Sequence, residues 1–168
     1  MFIITAIKNK GEVMGTKIYM QFGNIKSTTT DSNHKDWVEI SSLRYGGSRD
    51  VTQTSGSSSR NISTPHISSF SLTKKMNLGT QALFKEAFGG QGIDICTIHL
   101  VGDKGVYMEY KLHKAVISNY TVDIHDDMPE PKESFAVHFT RLDTRYIPTD
   151  SLNGPVNAGY DMEQAKLL

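Results

Sequence analysis

Residues 31–40 read D-S-N-H-K-D-W-V-E-I, a charged turn that runs straight into a strand. That strand, residues 37–45, breaks at Gly46-Gly47. From Ser48 to Thr64 the chain is polar, with Val51 and Ile62 as its only aliphatic residues. Pro65 closes this segment, and alternation resumes at residues 66–75, H-I-S-S-F-S-L-T-K-K. The pattern is two strands joined by a connection too long for a tight hairpin. Connections above roughly 12–15 residues without internal structure are uncommon in compact domains and are either functional or disordered. On the residues alone, recognition, assembly and a disordered insertion all stay open for this segment.

The 168 residues predict one domain with a real core. The expected boundary leaves residues 1–13 as an extension and residues 14–168 as the domain, with Met14-Gly15 as an alternative start; Tyr19 stands where a myristoylation site wants Ser or Thr. A hydrophobic fraction of 38% excludes wholesale disorder. Eighteen basic and eighteen acidic residues cancel, which argues against a nucleic-acid partner. The same neutrality lowers repulsion between copies. A single cysteine, Cys96, lies in an apolar run and reads as an inert core thiol of a reducing compartment. No apolar run approaches the length of a membrane span, and the N-terminus does not read as a secretory signal.

Along the chain, residues 16–23 alternate, with Ile18, Met20 and Phe22 on one face and Lys17, Tyr19 and Gln21 on the other. In the strand at 37–45, alternation alone leaves open which face is core. Phe70 and Leu72 form the inward pair of the strand at 67–73. One helix is expected over 78–88, with Leu78, Ala82, Leu83, Ala87 and Phe88 as its apolar stripe, Asn77 as N-cap and Gly89-Gly90 as its stop. Strands follow at 93–101, 106–117, 120–124 after a bend at Ser118-Asn119, and 134–142, with a hairpin turn at 102–105. Beyond Pro148 the chain reads as an irregular tail. The sum is a mainly β fold of about eight short strands and one helix, a sandwich or a barrel.

Catalytic readings find little support. His99, His113 and His138 fall on polar strand faces, and three histidines from adjacent strands are a conceivable zinc set, but no ligand spacing accompanies them. His125-Asp126-Asp127 borders a proline-rich loop, where Asp commonly serves turns. Ser57-Ser58-Ser59 has no nucleophile elbow around it, and no phosphate-binding glycine motif is present. No cofactor is implied.

The run at residues 31–40 resembles the D-x-x-H-K-x-W-I-E-V signature of the haemolysin co-regulated protein (Hcp) family, the tube proteins of bacterial type VI secretion. The likeness continues in order through residues 18–22, the polar loop, Phe70-Ser71-Leu72-Thr73-Lys74-Lys75, the helix, Tyr107-Met108-Glu109-Tyr110, Val116-Ile117-Ser118, Glu133-Ser134 and Gly159-Tyr160-Asp161. His34, Lys35, Trp37 and Lys74 carry the family motif. At the helix entry, Asn77-Leu78-Gly79-Thr80 replaces the family's D-x-x-S-P. The resemblance implies an antiparallel β-barrel flanked by one helix, with a long extended loop. It also implies a homohexameric ring that stacks into a tube, carries small effector proteins in its lumen, and meets sheath and spike proteins. The expected route is from the bacterial cytoplasm outward through the type VI machine, without a signal peptide or membrane insertion. In this reading the loop reaches an adjacent ring and orders on stacking. Its residues are Gly46, Gly47, Arg49, Val51, Thr52, Ser57, Arg60 and Ile62. Ser42 and Arg44 face the lumen. A phage-like tail tube and, from another class, a small metal-binding β-barrel enzyme using the three histidines are the alternatives.

Overall fold

In a computed structural model, the structure describes residues 15–27, 29–53, 55–56, 60–127, 129–150 and 152–168. The anticipated extension at 1–13 and Ser57 lie outside the described residues. In chain order come β1 (Lys17–Gln21), a 3₁₀ turn (Ser32–His34), β2 (Val38–Ile40), β3 (Ser42–Arg44), β4 (Gly47–Ser48), β5 (Val51–Gln53), β6 (Arg60–Ile62), β7 (His66–Ile67) and β8 (Phe70–Lys75). Then follow α1 (Thr80–Gly89), β9 (Ile93–Gly102), β10 (Gly105–Asp123), β11 (Lys132–His138), β12 (Arg141–Tyr146), β13 (Val156–Asp161) and β14 (Lys166–Leu167).

The architecture follows from β10, which is 19 residues long and serves two sheets. Its first half pairs with β9 on one side and β12 on the other. Its second half pairs with β11. The first sheet runs β2-β1-β9-β10-β12-β13-β14, and the second runs β10-β11-β8-β3. The two fold over one core in which Met20, Phe22, Val38, Phe70, Ile98, Leu112, Phe135 and Val137 are essentially inaccessible. The opposite corner lies between β2 and β3, where the Ser41 N–H donates to Thr73 O at 2.7 Å. This is the expected mainly β, barrel-like fold, with one α-helix among the described residues. α1 packs against β10 and sends Leu83 into the core.

Several expected elements divide differently. The strand at 37–45 is two strands. Val38 and Ile40 face the core, yet beyond Ser41 it is Leu43 that packs inward while Ser42 and Arg44 are exposed. A one-residue slip at the corner flips the faces, as period-2 geometry requires. The expected strand at 134–142 also turns a corner, after Phe139, into β12 of the other sheet. The bend at Ser118-Asn119 is a bulge inside β10, where Asn119 takes φ 53° and the register shifts. The tail expected to be irregular contains β13 and β14, and β13 extends the first sheet through the register Arg141↔Asp161 to Tyr146↔Val156.

The helix begins at Thr80 rather than Leu78. Asn77 is not its N-cap; its Oδ1 accepts from the Gly79 N–H at 2.9 Å, one turn earlier. Of the anticipated stripe, Leu83 is buried and Ala82 and Ala87 pack on the core, but Leu78 and Phe88 are 78% and 68% exposed. The helix stop is followed by Gly92 at φ +82°, where an added Cβ would lie 2.5 Å from Ala115 O, so only glycine lets the chain enter β9 this closely.

Candidate functional site

The long polar segment is the largest departure. It is a β-ribbon. β4 pairs with β7 through Gly47↔Ile67 and Ser48↔His66. β5 pairs with β6 through Val51↔Ile62, Thr52↔Asn61 and Gln53↔Arg60. Between the two ladders the Asp50 N–H donates to Ser63 Oγ at 2.8 Å and the Ser63 N–H to Asp50 O at 2.9 Å. Where it is described, the segment therefore pairs with itself rather than running as an unpaired loop. Gly46, Gly47, Arg49, Val51, Thr52, Arg60 and Ile62 are all exposed. Val51 and Ile62, opposite each other, leave 58% and 55% of their surface in solvent. At the ribbon's base Tyr45 stacks on Phe70 with centroids 4.2 Å apart, anchoring it to the core. Arg44, Ser71 and His66 help line a hollow of about 420 Å³ beside it.

The motif residues build a second feature, on the outer face of the first sheet. Asp31 caps the 3₁₀ turn by accepting the N–H groups of Asn33 at 2.8 Å and His34 at 3.1 Å on Oδ1. The turn drops His34 onto the sheet, where it is 3% exposed. Its ring stacks flat on Tyr19, centroids 4.5 Å apart, and meets Trp37 edge-on at 5.0 Å. This cover buries Tyr19 to 2% exposure, against the outward facing that alternation gave it. His34 Nε2 lies 2.9 Å from His99 Nδ1, and His99 Nε2 lies 3.0 Å from Glu109 Oε2. Lys111 reaches Glu109 at 3.4 Å. The hydrogen bond from His34 holds the Asp31 carboxyl below the usual carboxylate range. Burial pushes the His99 imidazole down, against the pull of Glu109. Burial would raise Glu109, but His99 and Lys111 outweigh it and the carboxyl sits low. Lys35 is exposed and takes no part.

The third feature is buried. Lys74 and Glu133, opposite each other on β8 and β11, form an ion pair with neither side chain accessible. Lys74 Nζ also donates to Lys75 O at 2.9 Å and Asn77 Oδ1 at 3.1 Å. Glu133 accepts from Thr80 Oγ1 at 2.8 Å and from the Tyr120 hydroxyl at 2.6 Å. The first turn of α1 is thereby bolted to the sheet. Burial, reinforced by Glu133, pushes the Tyr120 hydroxyl up to about 12.

The three histidines of the zinc alternative go to separate places. His99 meets His34 and Glu109, His113 meets Asp143 at 2.8 Å, and His138 is exposed. Among the described residues no group of three His, Cys, Asp or Glu is placed to hold a metal ion. Cys96 is fully buried, and burial pushes its thiol far up. No helix among the described residues is long and apolar enough to cross a membrane. Strand parity groups His99 with His113 and His138 and does not connect Asp31, His99 and Glu109. The motif at Glu133-Ser134 carries no signal that Glu133 meets Tyr120 and Lys74.

Two sheets over one core, a docked helix, a projecting ribbon and a motif turn spent on structural contacts define a barrel-like β domain. A family model described as "Type VI secretion system effector, Hcp" matches residues 19–146, so the chain belongs to the Hcp family of type VI secretion tube proteins. No curated protein sequence matches. Among solved structures, one described as a type six secretion system protein superposes with a TM-score of 0.83 at 22% identity, covering 92% of this chain and 100% of that one. Hcp1 from Salmonella typhimurium gives a TM-score of 0.76 at 19% identity, with 92% and 100% covered. A chain of the anti-feeding prophage baseplate, solved by cryo-EM with 6-fold symmetrisation, gives 0.50 at 11% identity, with 77% and 91% covered.

Proposed function

We propose that residues 14–168 form a single subunit domain that closes into a homohexameric ring. The rings stack into the inner tube of a type VI machine. The ribbon spanning β4 to β7 makes the contact between rings, and Ser42 and Arg44 of β3 face the lumen, where small effector proteins travel. Sheath and spike proteins meet the assembled tube, and the tube itself leaves the bacterial cytoplasm through the machine. The chain acts as a structural element and chaperone, not as an enzyme.

The observation that carries this reading is the ribbon. It is internally paired yet keeps Val51 and Ile62 in solvent, and apolar residues held on an extended edge invite another chain. Deleting residues 52–61 tests it. Rings of the parent's diameter should persist in negative-stain images, while stacks shorten or vanish. Stacks equal to the parent's would sink the assignment. The likeness to the baseplate chain supports the second reading, a contractile tail tube outside type VI secretion; the genes next to this one decide between the two.

A further inference from the structure

Four side chains form an unbroken line over the first sheet. Asp31 Oδ1 meets His34 Nδ1 at 3.0 Å, His34 Nε2 meets His99 Nδ1 at 2.9 Å, and His99 Nε2 meets Glu109 Oε2 at 3.0 Å. Each contact needs one hydrogen. The carboxylates at the two ends are acceptors when ionised, so every hydrogen must come from the imidazoles. Two neutral rings carry two N–H groups, and the line has three contacts. It closes only when the pair holds one extra proton, as one neutral ring and one imidazolium. A second extra proton would set His34 Nε2–H against His99 Nδ1–H.

We propose that His34 and His99 form a one-proton latch. A single shared proton clamps the turn at 31–37 onto β1, β9 and β10. Losing that proton, or gaining a second, loosens it.

The surroundings fit this count. Beyond Asp31 and Glu109, the groups facing the pair are Tyr19 of β1, which stacks on His34, and Glu39 of β2, opposite Tyr19 in the ladder. Lys111 of β10 lies one step out, on Glu109, and Arg145 of β12 is opposite Glu109. Within the turn, Lys35 is exposed and Asp36 turns away to Lys26 at 3.7 Å. The two carboxylates touch the rings directly, and Lys111 opposes charge on His99 from one step further out. Direct charge-assisted hydrogen bonds favour one imidazolium. Burial of His99 and the charge of its neighbour oppose a second.

With one shared proton the line is closed, and that closure is lost as pH rises and the pair gives the proton up. The second limb arises because a second proton sets the two facing N–H groups against each other, so closure is also lost as pH falls far enough to add it. Retention of the turn is bell-shaped in pH, and coupled sites of this kind titrate as a pair.

The chain holds one tryptophan, Trp37, with the His34 and His99 rings 5.0 and 4.6 Å from it. Its emission therefore reports the latch. The experiment is a pH titration of the full chain, labelled with ¹⁵N-histidine, following ring nitrogens and Trp37 emission together. Both rings should move through one shared first step, and the second proton should bind about tenfold or more weakly, which is one pH unit or more. In Glu109→Gln the amide supplies a hydrogen to His99 Nε2, so the neutral pair already closes the line. Its first proton should bind about tenfold more weakly than the parent's. Independent titration of the two rings, each at an ordinary value, with Glu109→Gln matching the parent, would overturn the latch. Should Glu109→Gln fail to fold, the parent's own titration still decides between shared and independent protons.

Discussion

At the scale of single residues, the Lys74–Glu133 pair is the most consequential contact. Neither charge reaches solvent, and each is surrounded by further partners: Asn77 and the Lys75 carbonyl on one side, Thr80 and Tyr120 on the other. Such a pair adds little over an apolar substitute, but stranding one partner costs about 3–5 kcal/mol. Lys74→Met should lower stability to urea by about that amount, because Glu133 stays buried without its counter-ion. Adding Glu133→Gln should restore most of the loss, since the amide still serves both hydroxyls without a charge. A loss below about 1 kcal/mol in the single variant would mean that Glu133 finds water or takes up a proton instead. The alternation Phe70, Leu72, Lys74 places the lysine on the core face, so its burial was legible. Its partner was not, because one sequence does not say that β11 lies beside β8.

At the scale of elements, sequence patterning worked where a strand keeps one face inward from end to end. β8, β9 and the first half of β10 show this, with Phe70, Leu72, Cys96, Ile98, Tyr110 and Leu112 all buried. It failed at corners. Ser41 and the Phe139-Thr140 step each pass the chain from one sheet to the other, and a corner costs only one or two residues of pattern. It failed again in the ribbon, because a ribbon without a core face has no amphipathic alternation to detect. What remained visible was β propensity: Val51, Thr52 and Ile62 are β-branched, and each sits in a ladder. The candidate surface was legible as a position in the chain and illegible as a structure. This separates two roles for Val51 and Ile62. Val51→Thr with Ile62→Thr keeps branched side chains at both positions, so the ladder and the subunit's thermal midpoint should hold within a degree or two. Stack length in electron micrographs should fall if the ribbon makes the proposed contact between rings, because its exposed apolar pair is gone. A drop in the midpoint with unchanged stacks would assign the pair to the ribbon's own stability.

At the scale of the whole molecule, the proposed ring needs a surface that would hold copies together. Eighteen basic and eighteen acidic residues leave no net charge to overcome. Many of the charges are also spent within the subunit. Arg141 grips Asp143 through two hydrogen bonds of 2.9 and 2.8 Å, Lys114 meets Glu163 at 2.9 Å, and Lys75 pairs with Glu130. The apolar surface is not spent. Leu78, Phe84, Phe88, Ile124 and Val156 all stand open on a single copy. Association driven by such surface is insensitive to screening and is strengthened by excluded salts, whereas association through charge weakens once the Debye length shrinks to a few ångströms. Light scattering between about 50 mM and about 500 mM NaCl should therefore give one constant particle mass, near six subunits, with round six-fold particles and a central hole in the same samples. Replacing chloride by sulfate should hold that mass or raise it. A mass that falls to that of one subunit as NaCl rises would place the contacts among the charged groups instead, with the line from Asp31 to Lys111 and the Arg141–Asp143 pair as the first candidates for that surface.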